Sequence, residues 1–172
     1  MASGRTFSNP RGVFLRRSDG SRALTVAERE AALDALTACG VAPGPVCRAA
    51  VEATRLVPRA PRVGEIRGPR SLIAHVALAA RADGITLGRR VFVRAALRAP
   101  DGALPLDLVV HEVAHVAQVL RDGPATFYAR YVADYLRGRA RGLADHDAYL
   151  AIPYEVEARE VAARVSAARR IG

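Results

Sequence analysis

The chain contains no tryptophan and no lysine, only two cysteines and one methionine, and aromatics make up 5% of its 172 residues. Each shortage narrows the field. Without Trp, and with few Phe or Tyr, a core must be assembled from Ala, Val and Leu, so helix should pack closely on helix rather than around large aromatic plugs. With only Cys39 and Cys47, eight residues apart and both at helix flanks, a cysteine zinc knuckle is excluded. Two buried free thiols are expected rather than a disulfide. No apolar run approaches the length of a membrane span, and none follows Arg5, Arg11, Arg16 and Arg17 as a Sec-type signal would require. A cytoplasmic location is the default expectation, with export by a non-Sec route as the alternative.

The missing lysine makes arginine the source of all 26 basic charges, which leave a net +9 against 17 acidic residues. Such an excess favours acidic partners, and an Arg-rich nucleic-acid-binding protein is one alternative reading. The arginines are dispersed, however. Their densest cluster, Arg137 to Arg141, has no interleaved aromatics on which bases could stack. Hydrophobic content of 51% and charged content of 25% fit one globular domain.

Residues 1–23, rich in Arg, Ser and Gly, read as a flexible arm, and 24–172 as a single domain with an N-terminal helical part (24–69) and a second part (70–172). Thr25-Val-Ala-Glu28 is a capping box that starts a helix stopping at Gly40. Pro45 opens a second helix reaching about Leu56, and a Pro-rich link runs from Pro58 to Pro69. Ser71 to Ala82 reads as helix, with His75 a core or boundary residue. The alternation of 85–94 about Gly88 predicts a hairpin, the one clear β signal. Pro105 suits the first turn of a helix ending at Gly123-Pro124. A further helix from about Ala125 to Leu136 leads to a turn around Gly138 and Gly142. Asp145, His146 and Asp147 read as loop. Pro153 introduces a last helix to about Arg169. The pattern is α+β and mostly helical, with a small β-hairpin or sheet.

His111-Glu-Val-Ala-His115 carries the chemistry. On a helix, four residues make just over one turn, so both imidazoles project from one face and can grip one metal ion. Glu112 then lies beside that ion as a general base for its water. Leu108, His111, His115 and Gln118 share one stripe, while Val109, Val113, Val116 and Leu120 form another that can face the core. A zinc site of this kind needs a third protein ligand and an open position. The extension that would supply a third histidine fails, since Gln118 and Arg121 stand where Gly and His are needed. Carboxylates or His146 remain, the best placed being Glu155 and Glu157 in Pro153-Tyr-Glu-Val-Glu-Ala158. Two residues apart on a helix they point about 200° from each other, so one of them at most serves.

Three pieces, 85–93, 111–118 and 153–158, resemble a gluzincin-type bacterial metallopeptidase family, in particular the core domain of extracellular contractile injection system proteins. The resemblance implies a zincin-like fold in which zinc is bound by His111, His115 and Glu155, with Glu157 the alternative ligand. It also implies peptide-bond hydrolysis with Glu112 as base. Arg159 stands where that family has an acidic residue bracing a ligand histidine. The 85–94 segment would supply an edge strand onto which an extended peptide adds. A donor to the oxyanion is also needed, with Tyr154, Tyr149 and His146 as candidates. The partners implied are a peptide or protein substrate and a protein that completes a shallow cleft. A binding or assembly module that keeps the metal scaffold without turnover is the competing reading.

Overall fold

The computed structural model describes residues 20–59 and 83–168. The segment 71–82, with His75, lies outside the described residues.

Helix α1 (Val26–Cys39) begins where the sequence places it. The Thr25 hydroxyl accepts from the Glu28 amide at 3.2 Å, and the Glu28 carboxylate accepts from the Thr25 amide at 2.7 Å. Gly40 ends the helix at φ 64°, a left-handed value that favours glycine. Helix α2 (Gly44–Ala53) has Pro45 in its first turn. It is shorter than expected: Arg55–Val57 leave it to form a strand. The arm's last two residues, Arg22–Ala23, form another.

Those two strands, β1 (Arg22–Ala23) and β2 (Arg55–Val57), join the predicted hairpin, β3 (Gly84–Leu87) and β4 (Arg90–Val93), in a sheet of order β1-β2-β4-β3. β1 is antiparallel to β2, β2 parallel to β4, and β3 antiparallel to β4, with Thr86 opposite Val91. Gly88 turns the hairpin at φ 64°. A short 3-10 turn, Ala95–Leu97, follows. The result is a mostly helical α+β fold with one small mixed sheet.

Helix α3 (Leu106–Asp122) is the central element, packed against α1, α2, the β3 strand and the last helix. Val109, Val113 and Val116 are fully buried in an Ala-, Val- and Leu-rich core, as their stripe predicts. Gly123 alone separates α3 from α4 (Pro124–Ala140). Gly138 is not a turn residue. It lies inside α4, where an added Cβ would sit 3.1 Å from the Ala148 methyl and 3.2 Å from its Cα. That close approach seats α5 (Asp145–Leu150), so Asp145, His146 and Asp147 are helical rather than loop. Helix α6 (Pro153–Ala168) then crosses α3.

The aromatic shortage hides a concentration. All five tyrosines lie in or against one cluster with Phe127, Val119 and Ile152, beside the HExxH helix. Large rings therefore do fill part of the interior, contrary to the expectation from composition. Cys39 and Cys47 are both free; Cys47 is buried and Cys39 partly so. The arginine cluster ends α4: Arg137 pairs with Asp134, and Arg139 donates to the Leu143 carbonyl at 2.9 Å. No described helix is long and apolar enough to cross a membrane.

The capping box carries a charge. Burial opposes ionisation of Glu28, but Arg22, donating two bonds of 2.7 Å, and the Thr25 amide hold its carboxyl below the ordinary value. Glu28→Ala should cost about 1–2 kcal/mol at neutral pH, the range of a lost cap. Because the folded pKa is lowered, this contribution is complete above the unfolded value of about 4.3 and disappears as pH falls through the folded one. Urea unfolding of both proteins across pH 7 to 3 should show their difference shrink over that acid window.

Candidate functional site

Helix α3 divides its residues cleanly. While its valines enter the core, His111 and His115 leave from the opposite side, one turn apart, towards α6. Their Nε2 atoms lie 3.2 Å from each other. Glu155, in the first turn of α6, closes the triangle: its Oε2 is 3.3 Å from His111 Nε2 and its Oε1 3.1 Å from His115 Nε2. One ligand atom from each residue can be chosen within 4.8 Å of the others. Three donors around a tetrahedral zinc ion with bonds of 2.0–2.1 Å are separated by about 3.3 Å. The two imidazole nitrogens stand at about that separation, while Glu155 meets them through its two different oxygens.

The site is buried and electrostatically coupled. Glu155 is 2% exposed and His115 5%. Burial would push the His115 imidazole down, but the charge and hydrogen bond of Glu155 outweigh it and raise its pKa to about 9. Burial equally opposes charge on Glu155, yet the two histidines hold its carboxyl well below the usual range. Two phenols complete the carboxylate's shell. Tyr131 donates to Oε1 at 2.6 Å and Tyr149 to Oε2 at 2.8 Å. Burial, reinforced by that carboxylate, pushes both phenols up, so they remain protonated donors.

His115 is oriented from behind. Gln118, fully buried, spends its amide hydrogens on the Tyr154 carbonyl at 3.0 Å and the Glu157 carboxylate at 2.7 Å. Its Oε1 therefore faces His115 Nδ1, 2.8 Å away, as acceptor. That fixes the proton on Nδ1 and turns Nε2 towards Glu155. Glu157 is held in turn by Arg121 at 3.0 Å. The two candidate glutamates thus divide as their helical spacing requires: Glu155 joins the histidines and Glu157 supports Gln118. Arg159, which stands where an acidic brace was expected, donates instead to the Leu150 carbonyl, and Gln118 takes the bracing position.

Glu112 is held against the sheet. Its Oε2 accepts from the Thr86 hydroxyl on β3 at 2.7 Å, and its side chain lies flat against Gly84. Glu112 and His111 both line a cleft of about 650 Å³. Tyr149 and His146 also reach this cleft, whereas Tyr154 turns away and donates to Asp122 at 2.6 Å. Among its described lining residues the acids Asp83, Asp107 and Asp145 occur and no arginine does, which makes it a poor seat for a phosphate backbone. Tyr131, Thr86 and the orienting role of Gln118 were not foreseen from sequence. Only Gln118 left a signal there, being on the histidine stripe one turn after His115.

A family model for the eCIS core domain matches residues 66–123. This is the contractile-injection family that the sequence pieces resemble, and the matched segment includes the hairpin and the HExxH helix but ends before α6. No curated protein matches the chain, and no solved structure does.

The Gly84 contact makes the position of Glu112 testable. A Cβ added at Gly84 would lie 2.7 Å from Glu112 Cδ and 3.0 Å from Cγ, closer than real contacts allow. Gly84→Ala should move the Glu112 side chain off Thr86, leave the histidine pair in place and cost about 1–3 kcal/mol for the lost buried bond. A crystal structure of the variant with Glu112 still on Thr86 would contradict this account.

Proposed function

We propose that this chain is a zinc-dependent peptidase in which His111, His115 and Glu155 hold the metal and Glu112 is the general base. The observation that carries the reading is two imidazole nitrogens 3.2 Å apart with a carboxylate whose two oxygens lie 3.3 and 3.1 Å from them, beside an open cleft. The donor set fits the ion: two neutral nitrogens and one carboxylate suit zinc, with a remaining position for water or substrate. When bound, zinc supplies Lewis acidity that polarises a scissile carbonyl and makes water a better nucleophile near neutral pH.

The chain's own groups do the rest. Glu112 accepts a proton from the attacking water and delivers it to the leaving amine, so the peptide bond is replaced by an acid and an amine. The Thr86 hydroxyl keeps one carboxyl oxygen of Glu112 in place for both transfers. Gln118 accepts from His115 Nδ1, so Nε2 is the nitrogen that would give up its proton to a metal. Tyr149, at the boundary of cleft and metal site, can turn its one hydroxyl hydrogen from Glu155 Oε2 to the carbonyl oxygen as charge develops there. Tyr131, buried behind the carboxylate, remains to orient Glu155.

Two outcomes are expected. The purified chain should take up about one zinc ion, the count of a mononuclear site. Elemental analysis should show that Glu155→Ala loses most of it and Glu157→Ala retains it, with affinity weakened about 10–100-fold through the freed Gln118. Glu112→Gln should keep its zinc while hydrolysis of a peptide library falls at least about 100-fold, the lower end of what a positioned general base contributes. A protein that binds zinc but cuts nothing in its wild-type form would instead be the non-catalytic module.

A further inference from the structure

Helix α5 carries Tyr149, yet little in its own sequence holds it in place. Its six residues are too few to be stable as an isolated helix. Asp145, His146 and Asp147 are exposed, and Ala148 is its one buried residue, seated against Gly138 of α4. A bond from Tyr135 of α4 to Asp145 anchors the start. The end, where Tyr149 leaves for the metal site, is held from α6.

Arg159 is the second grip there. It lies one turn after Glu155 on α6, so both side chains leave the same face of that helix. A glutamate and an arginine at this spacing can pair along a helix surface. Among the described residues no ion pair joins these two, because the oxygens of Glu155 are taken by the two histidines, Tyr131 and Tyr149. The Arg159 guanidinium donates instead, through one terminal nitrogen, to the Leu150 carbonyl, one of those that a helix end leaves without an internal partner. Helix α6 thus grips two consecutive residues of α5 from positions one turn apart: the Tyr149 hydroxyl through Glu155 and the Leu150 carbonyl through Arg159.

The other terminal nitrogen of Arg159 is buried without a hydrogen-bond partner, the one such side-chain atom among the described residues. Burying a charged donor unpaired costs about as much as one charged hydrogen bond gains, so Arg159 adds little net stability. Its charge is nevertheless close enough to Tyr149 to oppose the rise that burial gives the phenol.

We propose that Arg159 is a positioning residue that acts through Tyr149. By fixing the end of α5 it keeps the Tyr149 hydroxyl on Glu155 at the edge of the cleft, within reach of a substrate carbonyl. The consequence for turnover rests on the peptidase reading above; the placement of Tyr149 does not.

The experiment compares Arg159→Met, which removes the donor and the charge, with Arg159→Lys, which keeps both. In the zinc-loaded full chain Arg159→Met should lower kcat on a cleaved peptide at least about tenfold with KM nearly unchanged, the pattern of an interaction made only in the transition state. The loss should fall short of the roughly 10²–10³-fold of removing a donor outright. Arg159→Lys should restore most of the rate. In a Tyr149→Phe background Arg159→Met should cause no further loss, because the hydroxyl it acts through is already gone. Losses that multiply in the double variant, a loss of zinc, or an unchanged kcat in Arg159→Met would each overturn the inference. A crystal structure of Arg159→Met reads the same point without turnover: the Tyr149 hydroxyl should have left Glu155, and a hydroxyl still bonded to Oε2 would sink the proposal. If the zinc-loaded wild type cuts no peptide, the peptidase reading falls, and that crystal structure still decides whether Arg159 places Tyr149.

Discussion

A carboxylate almost fully removed from water is the constraint around which the rest is arranged. Glu155 is 2% exposed, and a buried unpaired charge costs several kcal/mol. The fold answers with four groups: two imidazoles and two phenols, each within hydrogen-bonding or ion-pairing distance of one carboxylate oxygen. These come from α3, α4 and α5, so one side chain of α6 is the point where four helices must agree. Without it, the crossing of α3 and α6 would keep only its apolar contacts and the polar links of Gln118 and Arg121 to the start of α6. With it, the crossing has a fixed register.

The same logic explains why the interior has two textures. The Ala- and Val-rich part lets α3 approach α1, α2 and α6 closely and supplies most of the packing. The rings are kept for the region behind the histidines, where bulk excludes water and hydroxyls donate to buried acceptors. Gln118 links these regions. Every hydrogen of its amide is used, and its oxygen is left for His115, so the orientation of a histidine is secured by residues reaching from α6 and, through Arg121, to the Val41 carbonyl beyond α1.

Much of this was legible in the residues, and the exceptions share a cause. The capping box at Thr25, the stop at Gly40, the hairpin at Gly88 and the helix bearing HExxH are local signals, and each stands where the sequence puts it. Which glutamate meets the histidines was half legible: helical spacing says only that the two diverge, and in the fold it is Glu155 that turns to them. What escaped notice depends on distant partners. Arg55–Val57 is too short to show alternation and becomes a strand only because β4 lies alongside. Gly138 reads as a breaker until Ala148 is seen against it. Tyr131 looks like any ring on a helix, and nothing near it in the chain hints at a carboxylate 24 residues away.

The single-residue corner at Gly123 ties the angular phase of α4 to that of α3. One inserted residue would swing α4 by about 100° and carry Tyr131 off the carboxylate, while the histidines, upstream of the corner, would stay as they are. Lineages descended from this chain should therefore vary in length at the exposed stretch around Pro100–Gly102 and keep the Asp122-Gly-Pro124 joint at constant length.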